Sequence, residues 1–188
     1  MHRALSAIAP RLDVGFLSVV YCFERMKFSH SIDIQASPEI VWAIWSDIER
    51  WSEWTASITK IQKLAPGPLA VGLRACVRQP KLPVAIWRVT ELEENRGFTW
   101  VSTSPGARVT GIHTIEPRAD GSRASMILTF VGPIGLLFGW LMRSVTQRYL
   151  QLEANGLKAL CEQMTHSQNN VASTPGLASS VAVANPVP

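Results

Sequence analysis

The sequence predicts an α+β fold: a seven-stranded curved antiparallel β-sheet wrapped on a long C-terminal α-helix, with two short helices between strands 1 and 2. Three observations predict it. Seven segments alternate apolar and polar residues with a period of two, as half-buried strands do. Six of them follow one another through links too short for a crossover helix, which makes them antiparallel neighbours. From Ile134 to Met164 the period changes to about 3.6, and the apolar stripe of so long a helix finds cover only on the sheet.

The first strand is Phe28 to Ile34, where Phe28, His30, Ile32 and Ile34 alternate with Ser29, Ser31 and Asp33. Ser37 as N-cap and Pro38 at the first helical position start a helix through Val41, Trp42, Ile44 and Trp45. Asp47 restarts a second short helix that ends near Trp51, with Trp54 in the following loop. Strand 57–64 ends at the turn Ala65 to Pro68. Strand 72–79 is broken by Pro80 and Pro83, and strand 84–92 by Glu93, Glu94 and Asn95. Strand 96–103 closes at Ser104-Pro105-Gly106, strand 108–116 at Pro117. Asp120-Gly121 is a hairpin turn into strand 122–131. Gly132-Pro133 then opens one continuous helix whose stripe is Leu137, Leu141, Val145, Tyr149, Leu152, Gly156, Leu160 and Met164.

All of this pattern lies within residues 27–164, which form the domain. The whole chain has 188 residues, 47% of them hydrophobic and 17% charged, enough for one real core and the opposite of a disordered composition. Residues 165–188 contain no charged residue and little apolar bulk, and read as a disordered low-complexity tail. Residues 1–26 form a leader with an uncharged run at 14–23, shorter than the roughly 20 residues of a spanning helix. Three readings stay open for it: a non-native extension ahead of a start at Met26, a packed or membrane-peripheral helix, and a signal segment. No integral membrane span is expected, and peripheral membrane contact is left open.

Eighteen basic residues against fourteen acidic ones give a net charge of +4. The excess is spread too thinly for a nucleic-acid partner. Cys22, Cys76 and Cys161 lie far apart, which suggests neither a disulfide framework nor a zinc site, and a reducing cytoplasm is the simplest compartment. The histidines at 2, 30, 113 and 166 make no metal spacing, and nucleophile-elbow, phosphate-loop and dinucleotide motifs are missing. No metal and no cofactor are expected.

Strand parity points to what lies inside. Ala85, Trp87 and Val89 share a face, as do Phe98 and Trp100, then Val109, Gly111, His113 and Ile115, then Met126, Leu128 and Phe130. That face is wide, aromatic and nearly free of charge, so a ligand there would be an apolar small molecule held by shape. The candidate ligand-binding residues are Trp54, Trp87, Val89, Phe98, Trp100, Gly111, His113, Met126 and Leu128, with Leu141 and Val145 from the helix. The alternative is that these side chains simply fill a core. His113 is the polar exception. Imidazoles exchange protons near neutral pH, so it is the candidate acid or base or the anchor of a ligand oxygen; its other reading is a core histidine bonded to a carbonyl. Gly111 leaves room beside it. Gln147 and Arg148 are placed at the cavity mouth, and no acidic pair is expected on the inward face: Glu91, Glu93 and Glu94 lie in a turn, Glu49 and Glu53 around a helix end.

With these residues in order, the chain resembles the SRPBCC / START-like superfamily of helix-grip proteins, which also includes Bet v 1-like proteins. The resemblance is strongest to its bacterial polyketide cyclase/dehydrase-like branch. It covers residues 27–164 and rests on Ile34-x-Ala36-Ser37-Pro38-Glu39-x-Val41-Trp42, on Asp47 to Trp51 with Trp54, and on the Gly72 strand. Trp87-Arg88-Val89, Phe98-x-Trp100 and Ile115-Glu116-Pro117 complete it. It implies a deep cavity between sheet and helix that binds a lipid-, sterol- or polyketide-like molecule. Alternatively it implies a cyclase or dehydratase using His113, although no aromatase catalytic set is matched residue by residue. A protein-interaction role is the third reading. Monomer and homodimer are both left open.

Overall fold

The structure, a computed structural model, describes residues 25–172, so residues 1–24 of the expected leader and 173–188 of the expected tail lie outside the described residues, while residues 25 and 26 belong to the first strand and 165–172 continue the last helix. Strand β1 (Arg25–Ile34) leads to α1 (Pro38–Ser46), and Ser37 adopts the extended conformation of an N-cap. Its carbonyl accepts the N–H groups of Ile40 and Val41, while its side chain makes no cap bond. Val41, Trp42, Ile44 and Trp45 are buried, which is the face that the spacing predicts. Asp47 breaks the helix, a single 3-10 turn spans Ile48–Arg50, and α2 (Trp51–Trp54) follows. Trp54 therefore sits in a helix rather than in the expected loop, because Thr55 N–H closes the turn on the Trp51 carbonyl.

Six strands come next: β2 (Lys60–Lys63), β3 (Arg74–Arg78), β4 (Ala85–Glu93), β5 (Gly97–Ser104), β6 (Ala107–Arg118) and β7 (Gly121–Val131). The sheet is antiparallel throughout in the order β1-β7-β6-β5-β4-β3-β2, so β1 closes onto the last strand. Pro117 does not end β6 as expected; it stays in the strand opposite Ser122. The β5 pairing stops at Thr114 opposite Gly97, so no strand on that side needs a donor from residue 117.

The expected continuous helix is two helices, α3 (Pro133–Leu141) and α4 (Arg143–Ala172), with Met142 (φ −98°, ψ 11°) between them. The reason lies in two glycines. Gly135 and Gly139, four apart, form the buried face of α3. A Cβ on Gly139 would come within 3.1 Å of Met26 Sδ and 3.2 Å of the Phe130 ring, so α3 lies on the sheet with its backbone close. That approach turns the large residues Leu137, Trp140 and Leu141 outward and leaves Ile134 half open at the cavity rim. The chain then re-phases at Met142, and α4 buries Thr146, Leu150, Glu153, Ala154, Leu157 and Cys161. The expected stripe is off by about one position: Val145, Tyr149, Leu152, Gly156 and Leu160 are half-buried flanks.

The core lies between the concave face of the sheet, α1, α2 and α4. Among the described residues no helix is long and apolar enough to cross a membrane.

Candidate functional site

The sheet does not close completely on α4. Between them lies a cavity of about 610 Å³, walled by β3 to β7, α2, α3, α4 and the loop before β4. That size falls in the range of about 300–1,000 Å³ that holds small organic ligands. Trp51, Trp87, Trp100, Met126, Leu128 and Leu150 supply much of its surface, so the lining is largely aromatic and aliphatic. Gln79, Ser102 and Ser104 add polar atoms, together with Thr146 and Tyr149 from α4. The Tyr149 hydroxyl donates to the Pro80 carbonyl and ties α4 to the loop before β4, which also forms part of the wall.

Six of the eleven residues expected at a ligand site line this cavity: Trp87, Trp100, Gly111, His113, Met126 and Leu128. Val89 and Phe98 are buried behind the wall, in the core. Trp54 packs its ring against Trp51 at 5.5 Å and stays outside the lining. Leu141 is 67% exposed at the end of α3, and Val145, half-buried on α4, also misses the cavity; both follow from the break at Met142. Gln147 and Arg148 are exposed and do not line the cavity. The room expected beside Gly111 is taken: a Cβ there would meet Trp100 Nε1 at 2.4 Å, so glycine makes space for the indole rather than for a ligand.

His113 occupies the centre of an aromatic enclosure. Its ring stacks on Phe98 at 4.5 Å, and Trp45, Trp51 and Trp100 meet it edge-on within 5.1–5.7 Å. The register explains the assembly, since His113 stands opposite Phe98 on β5 and Met126 on β7. Its Nε2 lies 3.2 Å from Oε1 of Glu153 on α4, and both residues are buried. The partner is therefore a carboxyl group, not the backbone carbonyl of the core-histidine reading.

Glu153 is the titratable residue that the sequence reading missed, and Trp51 and Leu150 in the wall were also outside the expected set. An enclosed carboxyl group loses several kcal/mol of hydration unless a partner compensates, and His113 is that partner. A signal existed: Leu150, Glu153, Ala154, Leu157 and Cys161 keep a three-and-four spacing when α4 is phased by itself. Starting the stripe at Leu137 carried the wrong phase across Met142. The His113 Nδ1 atom, by contrast, is sealed and has no partner, as are the indole nitrogens of Trp45 and Trp54.

Among the described residues no group of three or more histidine, cysteine or acidic side chains could hold a metal ion. Cys161, on the buried face of α4, has its thiol pushed up to about 12 by burial, with the neighbouring Glu162 charge adding to it. It is a packing residue, not a nucleophile.

Residues 25–162 match the family model described as polyketide cyclase / dehydrase and lipid transport. No curated protein matches the chain. Among solved structures it is similar to the di-domain aromatase/cyclase StfQ of the steffimycin biosynthetic pathway, at 12% identity and a TM-score of 0.59. That match covers 76% of this chain and 52% of StfQ, so the chain spans about half of the two-domain protein. The ZhuI aromatase/cyclase from Streptomyces sp. R1128 is similar over 76% of this chain and 96% of its own, at 15% identity and a TM-score of 0.58. A norcoclaurine synthase from Thalictrum flavum matches 76% of this chain and 98% of its own, at 12% identity and a TM-score of 0.61. At these identities the likeness is one of fold.

Proposed function

We propose that this chain, which belongs to the polyketide cyclase / dehydrase and lipid transport family, binds one lipid-, sterol- or polyketide-like molecule in the cavity between its sheet and α4. The observation that carries the reading is the cavity itself: about 610 Å³ of space walled mainly by aromatic and aliphatic side chains. A well-filled core would leave few voids larger than a water molecule. The presence of this space weighs against the reading in which the inward residues only pack together.

Trp51, Trp87 and Trp100 in the wall supply an internal probe. Titration of the full chain with 4-octylanisole is expected to change tryptophan emission and to saturate at one molecule per chain. A linear response without saturation would mean non-specific partition and would count against the reading.

One observation favours a second reading, in which the cavity catalyses a cyclisation or dehydration. The His113–Glu153 pair is an acid–base couple set in the wall of an apolar space, the arrangement such proton transfers use. The two readings separate on the bound molecule. If the pair performs chemistry, the His113→Gln variant purified from the native host carries a different molecule from the wild type; if the protein only binds, both carry the same one.

A further inference from the structure

We infer that Glu153 makes the cavity selective for apolar molecules that carry an O–H or N–H donor, and that it excludes apolar acids. This rests on the cavity-binding reading and specifies its ligand class.

The inference comes from the two oxygens of one carboxyl group. Oε1 lies 3.2 Å from Nε2 of His113, and a hydrogen bond between these two atoms has one proton between them. Wherever that proton rests, on nitrogen or on Oε1, the other oxygen carries lone pairs and no hydrogen. Moving a hydrogen to Oε2 would forfeit the charge-assisted character of the bond to His113, the stronger form of that bond.

Oε2 has no hydrogen-bond partner among the described residues, and it is not one of the sealed unpartnered atoms, which are Trp45 Nε1, Trp54 Nε1, His113 Nδ1 and Arg123 Nε. It therefore meets open space. Glu153 is 7% exposed and lines the cavity, so that space is the cavity.

A ligand that displaces water from this acceptor binds well only if it brings a donor of its own, and a hydroxyl or amine supplies one. The same wall selects against acids. No lysine or arginine lines the cavity, and its titratable groups are Glu153, His113 and Tyr149. His113 is already engaged with Glu153, and the Tyr149 hydroxyl with the Pro80 carbonyl. A ligand carboxylate would find no cation there and would face the acceptor oxygen of Glu153.

Three probes on one skeleton test this in the full chain by tryptophan emission: 4-octylphenol, its methyl ether 4-octylanisole, and 4-octylbenzoate. The wild type is expected to bind the phenol about tenfold to a hundredfold more tightly than the ether, the range for a hydrogen bond to a charged partner. The benzoate is expected to bind most weakly. Glu153→Leu should abolish the preference, bringing the phenol and ether affinities to within about twofold of each other. Glu153→Gln keeps the side-chain shape and should relieve the exclusion of the benzoate, which covers the case in which the leucine variant does not fold. Equal affinity for phenol and ether in the wild type overturns the inference and leaves the cavity reading standing. So does a preference that survives both substitutions. If none of the three probes binds, the cavity reading falls and takes the inference with it.

Discussion

His113 and Glu153 lie forty positions apart and meet across the molecule. Half of that contact was legible in the sequence. Alternation along β6 puts His113 on the same face as Val109, Gly111 and Ile115, and a period of exactly two leaves little freedom in such an assignment. Glu153 was hidden because a charged residue reads as a solvated one, and because the phase of a helix depends on where counting begins. A glycine on an inward face marks a close approach, and at Gly111 the approaching group is the Trp100 indole. Cys161 belongs to this scale as well. With its thiol pushed up to about 12 by burial, it holds almost no thiolate at pH 8. Iodoacetamide applied to the folded protein should leave Cys161 unmodified while alkylating the half-buried Cys76, with peptide mass mapping as the readout. Rapid labelling of Cys161 in the native state would mean that α4 is not packed as described.

Among the elements, strands were easier to read than helices. Each of the six strands from β2 to β7 appears where alternation and turn residues predicted it, with ends shifted by a few positions, most at β2. The long helix was the exception, and the physical cause is specific. Hydrophobic-stripe reasoning assumes that large apolar residues face inward, whereas α3 presents Gly135 and Gly139 to the sheet and Leu137 and Trp140 to solvent. Close backbone approach can outweigh side-chain burial when the sheet end leaves no depth for a leucine. A similar approach joins α4 to α2, where a Cβ on Gly156 would lie 2.0 Å from the Trp54 carbonyl oxygen. Intrinsic propensity favours alanine over glycine in a helix by about 1 kcal/mol. Here the clash with backbone dominates, and Gly156→Ala is expected to destabilise the protein by about 1–3 kcal/mol, the usual cost of overpacking. Urea unfolding measures it; a neutral or stabilising result would contradict the contact between α2 and α4.

For the whole molecule, the antiparallel sheet and the helix across it follow from short links and from a change of period, so the architecture was legible almost in full. The cavity was legible only as an inward face rich in aromatic residues, because sequence gives which side chains point inward and not whether they meet. Trp87, Trp100, Met126 and Leu128 border the cavity, while Val89 and Phe98, chosen by the same rule, are packed behind the wall. β4 supplies Trp87 to the cavity and Val89 to the core, and β5 divides Trp100 and Phe98 in the same way, so the division runs along each strand and not between strands. The proposed function depends on that space being used. Native mass spectrometry of the full chain purified from its own cells, followed by denaturing extraction, tests this most directly. One apolar molecule per chain, released on unfolding, is the predicted result. A population at the bare chain mass, with nothing extracted on denaturation, would contradict it.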